Sequence, residues 1–93
     1  MSHKYHVNWT SQFKKDYKLA QRRHLDIAKL DDIIGKLADS ETLPPANKDH
    51  PLSGNWANHR ECHIAPDWLL IYQIKNDVLV LTLTRTGTHA DLF

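Results

Sequence analysis

Histidine, aspartate and arginine side chains recur in the second half of this chain, at points where short strands would end. With two aromatic neighbours they are His50, His63, Asp67, Trp68, Arg85, His89 and Phe93. A histidine can take or give a proton near neutral pH, because its ordinary pKa is about 6.5. An arginine stays charged and can bind a phosphate through two parallel hydrogen bonds. Together these residue types are suited to proton transfer at a phosphate group.

Cleavage of RNA by its own 2′-hydroxyl needs this combination of groups. A base must take the 2′-hydroxyl proton, an acid must protonate the departing 5′-oxygen, and a cation must stabilise the pentavalent phosphorane. The rings of Trp68 and Phe93 could hold an unstacked base, at about 1–3 kcal/mol each. A ribonuclease site is therefore one hypothesis. Taken singly, these residues are more often surface histidines, turn aspartates and core aromatics than catalytic groups.

Other common sites find little support in the sequence. Three glycines cannot supply a glycine-rich phosphate loop, and no G-x-S-x-G motif occurs. His59 and His63 have the spacing of a helical metal pair, but on a strand they would lie about 13 Å apart, too far to share one ion. We expect no metal and no cofactor.

The length and composition are those of one ordinary domain, which we place at residues 1–93. Apolar residues make up 41% of the chain and charged residues 25%, so a folded core is expected. Cys62 is the single cysteine and cannot form an internal disulfide. The longest apolar run, at residues 68–72, is far short of the roughly 20 residues of a membrane-spanning helix, and no apolar signal region begins the chain. These features favour the cytoplasm and no membrane partner.

The charge is polarised along the chain although the net charge is only +1. Residues 1–29 hold seven basic and two acidic side chains, whereas residues 30–93 hold five basic and nine acidic ones. A net charge this small is weak for a protein that holds naked nucleic acid through its phosphates alone. The basic first part of the chain could still face a polyanion.

The first part of the chain predicts one strand and two helices. Tyr5, Val7 and Trp9 alternate with polar residues, which favours a strand over residues 3–9. Thr10 can cap an amphipathic helix that ends near Arg23, and Asp26 can cap a second one that ends near Asp39. The exposed face of the first helix carries the basic residues Lys14, Lys15, Lys18 and Arg22.

The second part of the chain predicts a long loop and then three antiparallel strands. Residues 40–58 contain three of the four prolines and no sustained periodicity, which indicates a loop. The strands are expected at 59–65, 68–74 and 78–85, with turns between them. The order β-α-α-β-β-β predicts a two-layer α+β fold, with a helical hairpin on one face of a mainly antiparallel sheet and the other face open. Because hairpins reverse direction, the turn at Asp67 and the segment after Arg85 meet at one end of the sheet.

Arg85 raises a geometric condition. Strict alternation would place it on the same face as Leu81 and Leu83, which is the side expected beneath the helices. If Arg85 is catalytic, a bulge or a strand end near Thr84 must redirect it.

Several motifs resemble the YafQ branch of the RelE toxin family. They are KDHPLSGNW at 48–56, Arg60, His63, PDW at 66–68, Tyr72, RTGTH at 85–89 and Leu92-Phe93, with KLAQ at 18–21 and Arg23-His24. The likeness thus covers nearly the whole chain. It implies a RelE-like fold and a type II toxin that cuts the codon in the ribosomal A site, without a metal, leaving a 2′,3′-cyclic phosphate and a 5′-hydroxyl.

The resemblance also implies roles for individual residues. They are His89 as general acid, His50 or Asp67 as general base, Arg85 on the scissile phosphate, His63 as a second phosphate or relay contact, and Trp68 and Phe93 against the base. The partners implied are the ribosome with its A-site mRNA, a cognate ribbon-helix-helix (DinJ-like) antitoxin, and operator DNA reached only through that antitoxin. The basic helix face at Lys14, Lys15, Lys18 and Arg22 would dock on ribosomal RNA or, equally well, be a solvated surface.

Two other functions stay open at this stage. Gyrase-inhibiting (ParE-like) toxins share the scaffold but act by binding and would not need the histidine and arginine set. An inactive relative that only binds the antitoxin is disfavoured, because each expected site position carries a suitable residue.

Overall fold

The computed structural model describes residues 3–93 of the chain. Its strands are β1 (His6–Trp9), β2 (His50–Pro51), β3 (Arg60–Ala65), β4 (Trp68–Lys75) and β5 (Val80–Gly87). Its helices are α1 (Ser11–Arg22), α2 (Ile27–Ala38) and the single turn α3 (His89–Leu92), with 3-10 turns at Pro45–Asn47 and Gly54–Trp56. None of these helices has the length and apolar character that a membrane crossing requires. The domain predicted for 1–93 includes Met1 and Ser2, which lie outside the described residues.

The five strands form one sheet in the order β1-β5-β4-β3-β2. β1 runs parallel to β5, and the other three pairings are antiparallel. The apolar faces of α1 and α2 pack against one side of this sheet. The predicted two-layer α+β arrangement is therefore confirmed.

The helices begin where the sequence predicts. Thr10 caps α1, and its hydroxyl accepts a hydrogen bond of 3.0 Å from the backbone N–H of Phe13. Phe13 and Ala20 are buried on the inner face of α1. Asp26 precedes α2 as expected, but its side chain makes no capping hydrogen bond, so packing of the buried apolar stripe holds that helix in place.

The central strand β4 is buried on both faces. Leu70 and Tyr72 point to the helices, while Leu69 and Ile71 belong to a second cluster on the opposite face. Leu92 of α3 packs into this second cluster, with Leu52 and Trp56 at its margin. The expectation that this face is left open is thus wrong in part, because α3 and the 52–56 segment cover its centre.

Four elements differ from the predicted boundaries by two residues or more, and the first is β1, which spans His6–Trp9 instead of residues 3–9. The predicted loop at 40–58 contains β2, whose two residues are too few to give a periodic signal. The last strand is displaced towards the C-terminus and spans Val80–Gly87 instead of 78–85. The sequence analysis also missed α3, whose four residues are stabilised by local capping and show no helical repeat.

The Cys62 thiol gives a test of the packed core. It is fully buried on β3, and burial, helped by the charges of Asp49 and Glu61, raises its pKa to about 12. We expect iodoacetamide at pH 8 to leave the native thiol unmodified and to alkylate it in urea, as read by mass spectrometry. The stability from this shift is present below pH 9 and is lost as the pH rises towards 12. Rapid alkylation of the native protein would contradict the burial.

Candidate active site

Antiparallel pairing brings polar residues of distant sequence onto the sheet face opposite the helices. His50 pairs with Glu61, Glu61 pairs with Ile71, and Ile71 pairs with Arg85. Directly paired residues point to the same side of a sheet. These four residues therefore form one row across β2, β3, β4 and β5. His63 lies in the neighbouring row of the same face, opposite Leu69.

Three histidine rings and one phenylalanine ring follow one another across this face. The ring centroids are 6.5 Å apart for His50 and His63, and 6.0 Å apart for His63 and His89. The His89 and Phe93 centroids are 6.3 Å apart. His50, His89 and Phe93 are exposed, so the cluster is open to a large substrate.

A buried carboxylate lies between two of the histidines. The Oε1 atom of Glu61 is 3.6 Å from Nε2 of His50 and 3.6 Å from Nε2 of His63. The side chain of Glu61 is only 6% exposed. On its other side, Nδ1 of His50 lies 2.6 Å from the carbonyl oxygen of Lys48 and can donate a hydrogen bond to it. The backbone therefore fixes Nδ1 of His50, while Nε2 lies near Glu61 beyond hydrogen-bond distance.

Asp67 orients the ring of His89. Its Oδ1 atom accepts a hydrogen bond from the backbone N–H of His89 and lies 3.0 Å from Nδ1 of the imidazole. These hydrogen bonds from His89 lower the pKa of Asp67. Because an ionised Asp67 can only accept, Nδ1 of His89 carries the hydrogen. The Nε2 atom of His89 is then the ring nitrogen that Asp67 leaves uncontacted.

A bulge in β5 meets the condition set for Arg85. Ile71 pairs with Arg85, whereas Tyr72 pairs with Leu83, so Thr84 is the extra residue. The insertion reverses the alternation, and Leu83 and Arg85 start from opposite faces. The Thr84 hydroxyl is buried without a hydrogen-bond partner among residues 3–93.

The guanidinium of Arg85 is bound from behind by Asp16 of α1. Its Nε and Nη2 atoms each lie 3.1 Å from a carboxylate oxygen of Asp16. Asp16 is 7% exposed and also accepts hydrogen bonds from Gln12 and from the backbone N–H of Thr86. The hydrogen bonds and the charge of Asp16 raise the pKa of Arg85. The guanidinium therefore lies against Asp16 of α1, and the three clustered histidines do not line the hollow that it borders.

Trp68 requires a correction. Its side chain is 4% exposed, and it lies in the core beneath the helices. The indole Nε1 atom donates a hydrogen bond of 2.9 Å to the hydroxyl of Thr86. A buried ring has no free face for a base, so we remove Trp68 from the base-stacking residues. Phe93, at 61% exposed, keeps an accessible ring.

Sequence reasoning missed Glu61 and Asp16. Glu61 lies two residues before His63, so the two share a strand face, but its contact with His50 depends on the undetected strand β2. Asp16 carries a clearer signal, because it occupies the buried stripe of α1 between Phe13 and Ala20. A carboxylate at such a position requires a partner.

The described residues also bear on the basic face of α1 and on metal binding. The basic residues of α1 are exposed on the side away from the core; they are Lys14, Lys15, Lys18 and Arg22. Within residues 3–93, no set of three or more histidine, cysteine, aspartate or glutamate side chains has the arrangement of a metal site.

Known protein families include one that matches nearly the whole chain. The family model described as a bacterial toxin of type II toxin-antitoxin systems, YafQ, matches residues 5–93. The chain belongs to the YafQ toxin family. It is 44% identical over 88 residues to the mRNA interferase toxin YafQ of Escherichia coli K12, with 94% of each chain covered.

Solved structures of the YafQ family share the fold. The crystal structure of YafQ from Escherichia coli BL21(DE3) matches with a TM-score of 0.90 at 42% identity, over 96% of this chain and 98% of that one. YafQ in the Escherichia coli DinJ-YafQ toxin-antitoxin complex matches with a TM-score of 0.88 at 43% identity, over 97% and 98%. The RelE-like architecture expected from the motifs is confirmed.

Proposed function

We propose that this protein is an mRNA endoribonuclease toxin of a type II toxin-antitoxin system. It would cut codons in the ribosomal A site by metal-independent transesterification and so inhibit translation. The observation that supports this proposal is the cluster of His50, His63 and His89, with Glu61 and Asp67 against the rings, on the sheet face opposite α1 and α2. Its relative in Escherichia coli K12 is an mRNA interferase toxin.

In the proposed reaction the 2′-oxygen attacks the adjacent phosphorus while the bond from phosphorus to the 5′-oxygen breaks. His89 gives a proton to the leaving 5′-oxygen through Nε2, since Asp67 holds its Nδ1. The products are a 2′,3′-cyclic phosphate and a 5′-hydroxyl. Phe93, beside His89 and exposed, would stack on a splayed base.

His50 is the better of the two candidate bases for the 2′-hydroxyl. Asp67 accepts two hydrogen bonds from His89, which lower its pKa and weaken it as a base. His50 instead donates Nδ1 to a backbone carbonyl, so its neutral ring presents Nε2 as an acceptor. His63, which shares Glu61 with His50, would be the second phosphate or relay contact.

Arg85 would stabilise charge on the phosphorane. Its Nε and Nη2 atoms bind Asp16, while Nη1 has no hydrogen-bond partner among the described residues. A phosphate oxygen could therefore bind at Nη1 without displacing Asp16. Asp16 in this arrangement fixes the plane of the guanidinium.

The proposed partners follow from the charge and from the relatives. The exposed basic face of α1, formed by Lys14, Lys15, Lys18 and Arg22, would dock on ribosomal RNA, so a small net charge suffices. YafQ of Escherichia coli forms a complex with DinJ. By analogy, a ribbon-helix-helix antitoxin would bind this chain and link it indirectly to operator DNA. We place this activity in the cytoplasm, where ribosomes translate.

Primer extension on transcripts after brief induction tests the function. We expect cuts that keep the reading frame, and no cuts when the same RNA is incubated with the toxin alone. Equal cleavage of ribosome-free RNA would contradict the ribosome dependence. Growth arrest without any cuts would instead favour a gyrase-inhibiting toxin.

A further inference from the structure

We propose that Arg23 is a positioning residue for His89, acting through an ion pair with Asp91 that docks α3 against the end of α1. We call the Arg23–Asp91 pair the tail latch. The inference rests on the proposed function, because it concerns the residue that we assign as general acid. Neither latch residue belongs to the sites predicted from the sequence.

The helix that carries His89 cannot hold its position by helical propensity. α3 has four residues, whereas isolated helices in water are marginal even at about 12–15 residues. Leu92 is its buried residue, at 7% exposed, and contacts the cluster of Leu69 and Ile71. Tertiary contacts must therefore fix the first turn, where His89 lies, and Asp67 supplies two of them through the backbone N–H and Nδ1 of His89.

Asp91 supplies such contacts inside the tail. Its carboxylate accepts a hydrogen bond of 3.0 Å from the backbone N–H of Thr88, and its own N–H donates to the Thr88 hydroxyl. This reciprocal capping box closes the turn around His89. A Cβ atom on Gly87 would lie 2.9 Å from Oδ2 of Asp91, so the glycine allows this close approach.

Arg23 joins the capped turn to the rest of the protein. Its Nη1 atom lies 2.8 Å from Oδ2 of Asp91, and its Nη2 atom lies 3.5 Å from Oδ1. The two residues are 68 positions apart in sequence. The Arg23 hydrogen bond, followed by that of Thr88, lowers the pKa of Asp91 to about 2, so the pair is charged at neutral pH.

The tail latch also borders the Arg85 region. One hollow of about 210 Å³ is lined by Arg23 and Asp91 together with Arg85 and Asp16. The charge of Asp91 contributes to the raised pKa of Arg85. The tail latch thus lines the same hollow as Arg85 and includes a residue of the helix that carries His89.

An exposed ion pair has a small effect on the whole fold but a larger one on a short tail. The side chains of Arg23 and Asp91 are 42% and 28% exposed, and such pairs typically change an equilibrium by up to about fivefold. We expect this change in the docking of residues 89–93, with the melting temperature unaltered. Added salt should reduce the difference in the docking of residues 89–93 between the wild type and Arg23→Ala.

The experiment combines NMR on the free protein with cleavage kinetics on programmed ribosomes. Arg23→Ala should lower the backbone order parameters of residues 89–93 and lower kcat by about two- to fivefold. Arg23→Lys keeps the charge and should recover part of the order parameters and part of kcat. Asp91→Ala should lower both quantities more than Arg23→Ala does, because it also removes the capping box. Lys36→Ala, which breaks a surface pair with Asp32 on α2, is the matched control.

The outcomes separate the latch from the proposed function. Unchanged order parameters in Arg23→Ala would overturn the latch. A more mobile tail with the kcat of the Lys36→Ala control would overturn the positioning role. A wild-type protein that cuts no mRNA would overturn the proposed function, while the order parameters would still report whether the latch exists.

Discussion

Replacing His89 by alanine is expected to slow mRNA cleavage by about 10²–10⁴-fold, the usual contribution of a positioned acid. The structure gives the reason, since Asp67 binds Nδ1 of His89 and directs Nε2 outwards. Both side chains are exposed, so the melting temperature should stay close to that of the wild type. Single-turnover cleavage on programmed ribosomes and thermal unfolding would measure the two effects.

His6→Ala is the matched control for this prediction. His6 is also exposed, but it pairs with Val80 at the opposite end of β5, about 23 Å along the strand from Gly87. We expect this variant to cleave at the wild-type rate. Equal rates for His89→Ala and His6→Ala would show that His89 is not the general acid.

Replacing Arg85 by alanine is expected to impair both cleavage and folding. Loss of one donor to the developing charge typically costs about 10²–10³-fold in rate. The variant also leaves the buried carboxylate of Asp16 without its cation. Breaking a buried pair costs about 3–5 kcal/mol, and we expect roughly 2–4 kcal/mol here because the Arg85 side chain is 26% exposed. Urea unfolding would measure this loss.

A double variant separates the two effects of Arg85. When Asp16→Asn is combined with Arg85→Ala, the uncompensated charge is gone, and the oxygen of the introduced amide can still accept from the Thr86 N–H. We expect the free energy of unfolding to recover by more than about 1 kcal/mol over the single variant, without recovery of cleavage. Recovered cleavage would mean that Arg85→Ala was inactive only because it unfolded.

The helices and long strands could be predicted from sequence because their signals are local. Thr10 lies directly before the apolar stripe of α1, and the apolar run at 68–74 identifies the central strand β4. The need for a bulge near Thr84 could also be predicted from a local pattern, because alternation along β5 fixes the face of each residue until a bulge interrupts it. The fold can be predicted from such patterns because most residues of each helix or strand keep the period of that element.

The geometry of the candidate site could not be predicted in the same way. The contact of Glu61 with His50 requires β2, which is too short to recognise, and the pair of Arg85 with Asp16 joins residues 69 positions apart. The burial of Trp68 depends on which face of β4 the helices cover. Residue types could therefore indicate the chemistry, but not which partner each charged group takes.

The extra residue in β5 makes the face of Arg85 depend on which residue of the strand is left out of the pairing. Loss of Thr84 alone would remove a single hydroxyl, already without a hydrogen-bond partner among residues 3–93, and would leave the composition almost unchanged. It would keep Leu83 opposite Tyr72 and Arg85 opposite Ile71, and would so leave Arg85 and Thr86 on their present faces. Natural variants shortened at this point would therefore keep the inward and outward positions of the site, whereas pairing of Thr84 itself with Ile71 would turn Arg85 towards the helices.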